Sequence, residues 1–364
     1  MRIVCMSRSL EVGGLERQLT GLAVVLKEAG HDVEVLKYIP TDFYEGFLAE
    51  HGIPSVYVPR KGGTIGVSRR IARHLKDIGA DMVICFGASP NMKACIAKFF
   101  HKDFKLVVSE RNYIKHFMPN AWIRFALYSK AAWIISNSYA QHNHVVKSFP
   151  SLARKASAIV NFVNLEEFHP AERRVDGSSP LTITTISRVR RRKNLHGYIK
   201  AASMVKEQGL DFRIKWYGKT KDSSYYRRCM KMIERKGLGD CFEILPATHD
   251  VKSIYDATDI FCLPSFHEGT SNAIGEALAC GLPVACSDVS DNSLYVRPGS
   301  NGWLFNPKDI RSMAETLAEI IRCDRGRFAD YGTESRRTAE ERLSVVRFRK
   351  EYLELIENIG KAEA

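Results

Sequence analysis

Short apolar runs alternate with amphipathic stretches along the whole chain. In the first half, runs typical of buried strands cover 2–6, 32–38, 55–59, 82–86, 105–109, 133–136 and 157–160. In the second half they recur at 181–187, 213–217, 242–245, 260–263, 284–286 and 302–305. Segments with helical periodicity, such as 15–29 and 67–78, lie between them. This alternation predicts parallel sheets with helices on both faces.

A polar segment divides the chain in two. Residues 170–180 read Pro-Ala-Glu-Arg-Arg-Val-Asp-Gly-Ser-Ser-Pro, which is typical of an interdomain linker. We therefore expect an α/β protein with one Rossmann-like doubly wound domain over 1–170 and a second over 171–343. The last segment predicts one long helix from about 340 to 359. Its apolar stripe, which needs a surface to pack on, comprises Val345, Val346, Phe348, Tyr352, Leu353 and Ile356.

Composition narrows the class of protein. With 364 residues, 45% hydrophobic and 26% charged, the chain is typical of globular proteins and unlike disordered or repetitive ones. No apolar run is long enough to cross a bilayer. The nine cysteines include no Cys-x-x-Cys pair, so we expect a reducing cytoplasm and no structural zinc. The net charge of +13 points to an anionic partner: nucleic acid, an anionic membrane or a phosphorylated small molecule.

Two segments that follow predicted strands could bind phosphate. Gly13 and Gly14 precede a helix, so backbone N–H groups could approach an anion there, although a plain glycine turn would look the same. In the second half, five of the six residues from Arg188 to Lys193 are basic. Arginine and lysine at the end of a strand suit a diphosphate. A solvated basic loop and a nucleic-acid patch are the alternatives.

A third segment combines a strand, a turn and a helix start. The run 260–263 leads to Glu268, then Gly269, Thr270, Ser271 and Asn272 open a helix that carries Glu276. The helix start could hold a phosphate, and Glu276 could accept hydrogen bonds from both hydroxyls of a ribose. An amphipathic helix with two solvated glutamates is the alternative.

This third segment resembles the Glu-x7-Glu signature of the retaining GT-B glycosyltransferases of family 4, also called glycosyl transferases group 1. Further segments resemble the same family in the same order, namely Gly13-Gly14-Leu15-Glu16-Arg17, Ser136-Asn137-Ser138, the run from Asn161 to Pro170 and Asn301-Gly302-Trp303-Leu304-Phe305. The resemblance implies two Rossmann-like domains facing across a cleft. It also implies that the C-terminal helix, 344–364, crosses back onto the first domain.

The resemblance assigns roles to the donor-side residues. Arg188 and Lys193 would hold the donor diphosphate, Glu276 the ribose and Glu268 a hydroxyl of the donor sugar. Gly269, Thr270, Ser271 and Asn272 would supply backbone contacts, and Gly14 would approach the same phosphate from the first domain. The departing diphosphate would be stabilised by Arg188, Lys193 and the helix start, with Glu268, Arg188 and Lys193 as the catalytic set.

The first domain departs from the family pattern. Many members carry a catalytic histidine where this chain has Ser109-Glu110-Arg111-Asn112-Tyr113, with His116 further on. Glu110, Arg111, Asn112 and His116 are therefore the acceptor-side candidates. A simple ion pair between Glu110 and Arg111 is the alternative.

The resemblance implies transfer of a hexose or N-acetylhexosamine from a nucleotide diphosphate sugar to a glycan or polyprenyl-linked acceptor, with retention of anomeric configuration. Family frequency favours UDP. We expect no cofactor and no metal, because no Asp-x-Asp follows a strand. The remaining alternatives are a nucleotide-sugar epimerase, a sugar phosphorylase and, more remotely, a nucleic-acid-binding protein. Gly218-Lys219-Thr220 is not a P-loop, because the residue five positions earlier is Arg213.

Basic and aromatic residues interleave in the first domain. This pattern predicts peripheral contact with an anionic membrane, and hence a location at the inner face of the cytoplasmic membrane. A solvated helix face is the alternative. The residues are Arg60, Lys61, Arg69, Arg70, Arg73, Lys76, Lys93, Lys98, Phe99, Phe100, Lys102, Phe104, Lys105, Trp122, Arg124, Phe125 and Tyr128.

Overall fold

The chain folds into two compact units in a computed structural model. The structure describes residues 1–111, 114, 119–171, 179–219 and 223–361. Unit 1 comprises Met1–Asn161 with Val346–Ala364, and unit 2 comprises Phe162–Val345.

Unit 1 contains a parallel sheet of seven strands in the order β3-β2-β1-β4-β5-β6-β7. Its strands are β1 (Arg2–Met6), β2 (Asp32–Lys37), β3 (Ser55–Tyr57), β4 (Met82–Phe86), β5 (Lys105–Glu110), β6 (Trp133–Ser136) and β7 (Ala156–Ala158). Its helices before the second unit are α1 (Gly14–Glu28), α2 (Glu45–Glu50), α3 (Gly63–Asp77), α4 (Ala88–Ala97), α5 (Pro119–Leu127) and α6 (Tyr139–Ser148).

Unit 2 repeats the arrangement with six strands in the order β10-β9-β8-β11-β12-β13. Its strands are β8 (Leu181–Ile186), β9 (Phe212–Tyr217), β10 (Phe242–Leu245), β11 (Ile260–Leu263), β12 (Val284–Ser287) and β13 (Gly302–Phe305). Its helices are α7 (Leu195–Lys206), α8 (Ser224–Arg235), α9 (Val251–Asp256), α10 (Asn272–Ala279), α11 (Asn292–Tyr295), α12 (Ile310–Arg322) and α13 (Arg327–Leu343). The last helix of the chain, α14 (Val345–Lys361), follows.

The prediction of two doubly wound parallel sheets is confirmed. The central strands are apolar on both faces, as in β4, where every residue from Met82 to Phe86 is buried. Such continuous runs are expected where helices cover both sides of a parallel sheet. The strand order reverses between β1 and β4 in unit 1 and between β8 and β11 in unit 2. Ligands of doubly wound folds bind at such switch points, outside the carboxyl ends of the strands.

The segment 162–170 packs within unit 2, whereas the sequence analysis placed it in the N-terminal domain. Phe168 is buried against Tyr255, with ring centroids 5.9 Å apart. The Arg336 guanidinium donates to the carbonyls of Leu165 and Phe168, at 3.3 and 2.8 Å. The polar linker composition therefore misplaced the boundary, because these contacts come from residues distant in sequence.

The predicted single helix over 340–359 is wrong, since two helices meet at Ser344. Ser344 is extended (φ −68°, ψ 150°), and the Leu343 carbonyl accepts a hydrogen bond from the Val163 N–H at 2.7 Å. A neighbouring segment thus takes the carbonyl that a continuous helix would use. Of the predicted stripe, Phe348, Tyr352 and Ile356 are buried. Leu353 is half-buried, Val345 is exposed, and Val346 is 73% exposed, so the two valines were wrongly placed on the stripe.

Most of α14 lies in unit 1, which includes Val346–Ala364. Arg349 contacts Glu28 of α1 at 2.9 Å, and Arg347 donates to the Val160 carbonyl at 3.2 Å.

Candidate functional site

The switch point of unit 2 brings together two of the predicted segments. The loop after β8 and the loop after β11 are joined by a backbone hydrogen bond from the Phe266 N–H to the Arg192 carbonyl, at 2.8 Å. Lys193 and Glu268, 75 residues apart, form an ion pair with Nζ and Oε1 2.5 Å apart. Their side chains are 13% and 8% exposed. An ammonium has three donors, so Lys193 retains donors for a phosphate beside Glu268.

Arg188 is exposed at the same edge, two residues after the end of β8. The preceding carbonyl, of Ser187, accepts a hydrogen bond from the indole N–H of buried Trp216, at 2.8 Å. Gly218 packs on that carbonyl so closely that a Cβ there would lie 1.9 Å from the Ser187 oxygen. The glycine that resembled a P-loop residue is therefore required for packing under the Arg188 loop.

The end of the basic segment is held by a residue that the sequence analysis did not single out. Asn194 is buried in the left-handed region (φ 59°), and its side chain accepts from the Gly197 N–H and donates to the Pro307 carbonyl, at 3.2 and 2.9 Å. Asparagine tolerates this conformation and caps helices well. Asn194 therefore fixes Lys193 at the start of α7. A single asparagine before a helical run was the available signal.

Glu276 is buried in α10 and was predicted to bind a ribose. The Tyr255 hydroxyl donates to its Oε2 at 2.8 Å. Tyr255 is itself fully buried, between Phe168 and Phe261, at centroid distances of 5.9 and 5.7 Å. One carboxylate oxygen is thus oriented by a rigid aromatic side chain. Tyr255 left no signal in sequence, since it lies 21 residues from Glu276 in a short helix.

The start of α10 has the predicted form. Ser271 is extended (φ −80°, ψ 117°), and its hydroxyl accepts from the Ile274 N–H at 3.5 Å, as expected of an N-cap. Thr270 is buried, and Gly269 and Asn272 are half-buried. This helix start, Lys193 and Arg188 share one edge of unit 2, and together they can stabilise negative charge.

Glu110 and Arg111 have separate partners, so the proposed ion pair between them is wrong. The buried Glu110 carboxylate lies 3.3 Å from the Arg124 guanidinium and accepts a hydrogen bond from the Tyr128 hydroxyl. Burial raises the pKa of Glu110, and the charge of Arg124 opposes that rise. Because its polar contacts are internal, Glu110 orders the core of unit 1. Tyr128 is fully buried there as well.

Arg111 links three elements of unit 1. Its guanidinium stacks 4.3 Å from the centre of the Phe86 ring and donates to the Asn161 side chain. Burial lowers the pKa of Arg111 to about 10, while the neighbouring Tyr352 hydroxyl of α14 opposes that fall. Arg111 therefore helps to dock the C-terminal helix. The other acceptor-side candidates, Asn112 and His116, lie outside the described residues.

Gly14 is the first residue of α1, so the helix begins one residue before the predicted segment 15–29. Gly13 precedes it in extended conformation (φ −174°), and its carbonyl accepts from the Arg17 N–H at 3.1 Å. The loop lies at the carboxyl end of β1, the switch point of unit 1.

The predicted basic and aromatic surface separates into core and exposed residues. Phe104, Phe125 and Tyr128 are buried and Arg124 pairs with Glu110, so these four are not surface residues as predicted. Phe99, Phe100 and Trp122 are exposed. The Arg69 guanidinium lies 5.0 Å from the centre of the Phe100 ring, and the Lys130 ammonium lies 5.8 Å from that of Phe99.

The described residues include neither a metal-binding cluster nor a membrane-spanning helix. Within those ranges, no group of three or more histidine, cysteine, aspartate or glutamate side chains is arranged to hold a metal ion. Among the described helices, none is both long and apolar enough to span a bilayer.

Comparisons with known proteins agree with this architecture. Two family models match consecutive parts of the chain: "Glycosyltransferase Family 4" over residues 12–167 and "Glycosyl transferases group 1" over residues 169–337. The Anabaena protein HepE, solved with UDP and glucose, shares the fold with a TM-score of 0.85 at 19% identity, over 98% of this chain and 100% of that one.

Curated relatives match part of the chain. A Salmonella typhimurium protein, named as a colanic acid biosynthesis glycosyltransferase, is 30% identical over 50% of this chain and 46% of its own length. The Escherichia coli UDP-Gal:alpha-D-GlcNAc-diphosphoundecaprenol alpha-1,3-galactosyltransferase is 30% identical over 46% of this chain and 45% of its own. The alignments thus span slightly under half of these relatives. Together, the two family models, the two doubly wound sheets and the switch-point residues show that the chain belongs to the GT-B glycosyltransferases of family 4.

Proposed function

We propose that the protein transfers a hexose or N-acetylhexosamine from UDP to a saccharide acceptor carried on a diphosphate-linked lipid. The observation that carries the proposal is the edge of unit 2, where Lys193 pairs with Glu268, Arg188 is exposed and Glu276 is buried with one oxygen oriented by Tyr255. The pattern suits a ligand with a diphosphate, a ribose and a sugar. One relative, whose name gives UDP-Gal as donor and a diphosphoundecaprenol-linked sugar as acceptor, supports the choice of substrates.

In the proposed reaction, the bond between the anomeric carbon and the diphosphate oxygen breaks. The acceptor hydroxyl oxygen forms the new bond on the same face, and its proton passes to the departing phosphate oxygen. Arg188, Lys193 and the N–H groups at the start of α10 stabilise the charge that develops on that phosphate. Glu268 binds a hydroxyl of the donor sugar, Glu276 binds the ribose, and no metal takes part.

Calorimetry in metal-free buffer tests the donor site. UDP, GDP and ADP are titrated into the wild type, Glu276→Gln and Arg188→Ala. We expect UDP to bind selectively and roughly 10-fold more weakly to each variant, the effect of one lost hydrogen bond to a charged group. Glu234→Gln, an exposed glutamate of α8, is the matched control. Wild-type affinity in both site variants would refute the assignment.

Product analysis tests the reaction. With a donor sugar and a diphospholipid-linked saccharide, proton NMR should show a new glycosidic bond of the donor's anomeric configuration. The reaction is run with and without the acceptor. Conversion of the donor to an epimer without acceptor would favour an epimerase, and an inverted product would exclude the front-face mechanism.

We also propose that unit 1 binds an anionic membrane through the Phe99 patch, which comprises Arg69, Phe99, Phe100 and Lys130. Each cation stacks on an exposed ring of the patch. Exposed aromatic rings with adjacent cations suit the interface of an anionic bilayer. The double variant Phe99→Ser/Phe100→Ser should lose salt-sensitive flotation with phosphatidylglycerol liposomes. Phe43→Ser, an exposed ring elsewhere in unit 1, should retain it; equal loss in both would exclude a specific patch.

A further inference from the structure

Three basic side chains of unit 1 lie near the carboxyl edge of its sheet: Lys93 contacts the Ser89 hydroxyl, and Arg8 and Arg60 are near enough to repel Lys93. Arg8 lies two residues after β1, and its carbonyl accepts hydrogen bonds from the N–H groups of Tyr38 and Ile39, at 3.3 and 2.9 Å. Arg60 lies three residues after β3, and Lys93 lies in α4, the helix that follows β4. This is the edge where the strand order reverses, the usual ligand position in a doubly wound sheet. We refer to Arg8, Tyr38, Arg60, Ser89 and Lys93 as the Ser89 cluster.

The hydrogen bonds of the cluster leave donors on its surface. The exposed Ser89 hydroxyl accepts from the Tyr38 hydroxyl at 2.8 Å and from the Lys93 ammonium at 2.9 Å. With both lone pairs engaged, the Ser89 O–H can act only as a donor to a third group. The Lys93 ammonium also lies 4.7 Å from the centre of the Tyr38 ring, which fixes its position. The cluster thus offers hydroxyl, ammonium and guanidinium donors.

Among the residues that the structure describes, none forms an ion pair with the basic side chains of the cluster. Burial, followed by repulsion from Arg60 and Arg8, lowers the pKa of half-buried Lys93. Across the described ranges, no carboxylate forms an ion pair with Arg8, Arg60 or Lys93. Like charges held together in this way disfavour the folded state, and a bound anion would relieve the repulsion. A basic face that serves only solubility would spread its charges and would not bury one of them.

We infer that the Ser89 cluster binds a phosphate or diphosphate group of the acceptor, the group that attaches its sugar to the lipid carrier. The inference rests on the proposed function, in which the donor diphosphate occupies Arg188 and Lys193 of unit 2. The Ser89 cluster contains none of the residues assigned to the donor, so we assign an anion held there to the other substrate. Arginine forks and an oriented ammonium suit the oxygens of a diphosphate.

Calorimetric titration of inorganic pyrophosphate into the full chain tests this site. Saturating UDP is present, so that the donor site is filled. The variants are Lys93→Gln and Arg60→Gln, and Lys76→Gln on the exposed face of α3 is the matched control. We expect roughly 10-fold weaker pyrophosphate binding for each cluster variant, one charge-assisted contact being lost, and wild-type affinity for the control.

Two further measurements distinguish an acceptor phosphate from a membrane headgroup, and this inference from the proposed function. Binding to phosphatidylglycerol vesicles is measured for the same variants and should not change. Vesicle binding that falls in the cluster variants while pyrophosphate affinity holds would overturn the inference, because the cluster would then recognise a membrane headgroup. Pyrophosphate affinity equal to the wild type in both variants would overturn it as well. UDP is titrated separately, so a failure there counts against the proposed function alone.

Discussion

The ion pair between Lys193 and Glu268 predicts that substitutions of its two members have opposite effects on the affinity for UDP. The charges are 2.5 Å apart, which corresponds to a gross attraction of roughly 7 kcal/mol at an effective dielectric constant of about 20, before desolvation is subtracted. Lys193→Gln removes the cation and leaves the buried Glu268 carboxylate beside the diphosphate. One lost hydrogen bond to a charged group, about 1.5 to 3 kcal/mol, weakens UDP binding roughly 10- to 100-fold.

Glu268→Gln should have the opposite effect on UDP. The variant keeps the side-chain volume, removes an anion next to the diphosphate and releases the Lys193 ammonium. UDP affinity should therefore stay equal or rise a few-fold, while sugar transfer falls, because Glu268 is proposed to bind the sugar that UDP lacks. When Glu268→Gln is already present, adding Lys193→Gln should weaken UDP binding less than Lys193→Gln does alone, since no unpaired Glu268 carboxylate then remains beside the diphosphate.

The assay is calorimetry with UDP on both single variants and the double variant, with thermal melts to check folding. Lys252→Gln is the matched control, because Lys252 forms a 2.5 Å ion pair with Asp256 in α9 of the same unit. If Glu268→Gln weakened UDP binding as strongly as Lys193→Gln, the ion pair would only maintain the structure of the site, and the two residues would not have separate roles in ligand binding. An unchanged affinity in Lys193→Gln would remove the lysine from the diphosphate site.

Two further predictions concern packing and pH. Gly218→Ala would force the backbone at Ser187 to move, since the new Cβ would lie 1.9 Å from the Ser187 carbonyl oxygen. We expect the variant to lose about 1 to 3 kcal/mol of stability and to bind UDP more weakly. Unchanged thermal melting and UDP titration curves would contradict this prediction. Glu34 Oε1 lies 2.6 Å from His74 Nε2, and this hydrogen bond raises the pKa of His74. The interaction therefore stabilises the fold fully below the pKa of an unfolded histidine, near 6.5, and the stabilisation is lost as the pH rises through the pKa of His74 in the folded protein. His74→Gln should therefore reduce the free energy of unfolding, measured with urea, by about 1 kcal/mol at pH 5.5 and negligibly at pH 9; equal losses at both would be inconsistent with the pair.

The positions of the strands and helices along the chain could be predicted from the sequence alone. Buried parallel strands are apolar on both faces, so runs such as Met82 to Phe86 are visible without any knowledge of their neighbours. The segment from Glu268 to Glu276 could likewise be predicted from local sequence, because its turn, N-cap and helix are contiguous in the chain. These local patterns identified the residues that we propose bind the donor.

Contacts between distant residues were decided only by the tertiary structure. Lys193 meets Glu268 across 75 residues, and Tyr255 orients Glu276 from another helix. Arg124, not Arg111, pairs with Glu110, and Val163 ends the helix at Leu343. The Ser89 cluster draws its cations from three separate elements of one sheet edge. Side-chain partners of this kind depend on which strand ends become neighbours, and strand order in a parallel sheet is set by packing over the whole unit.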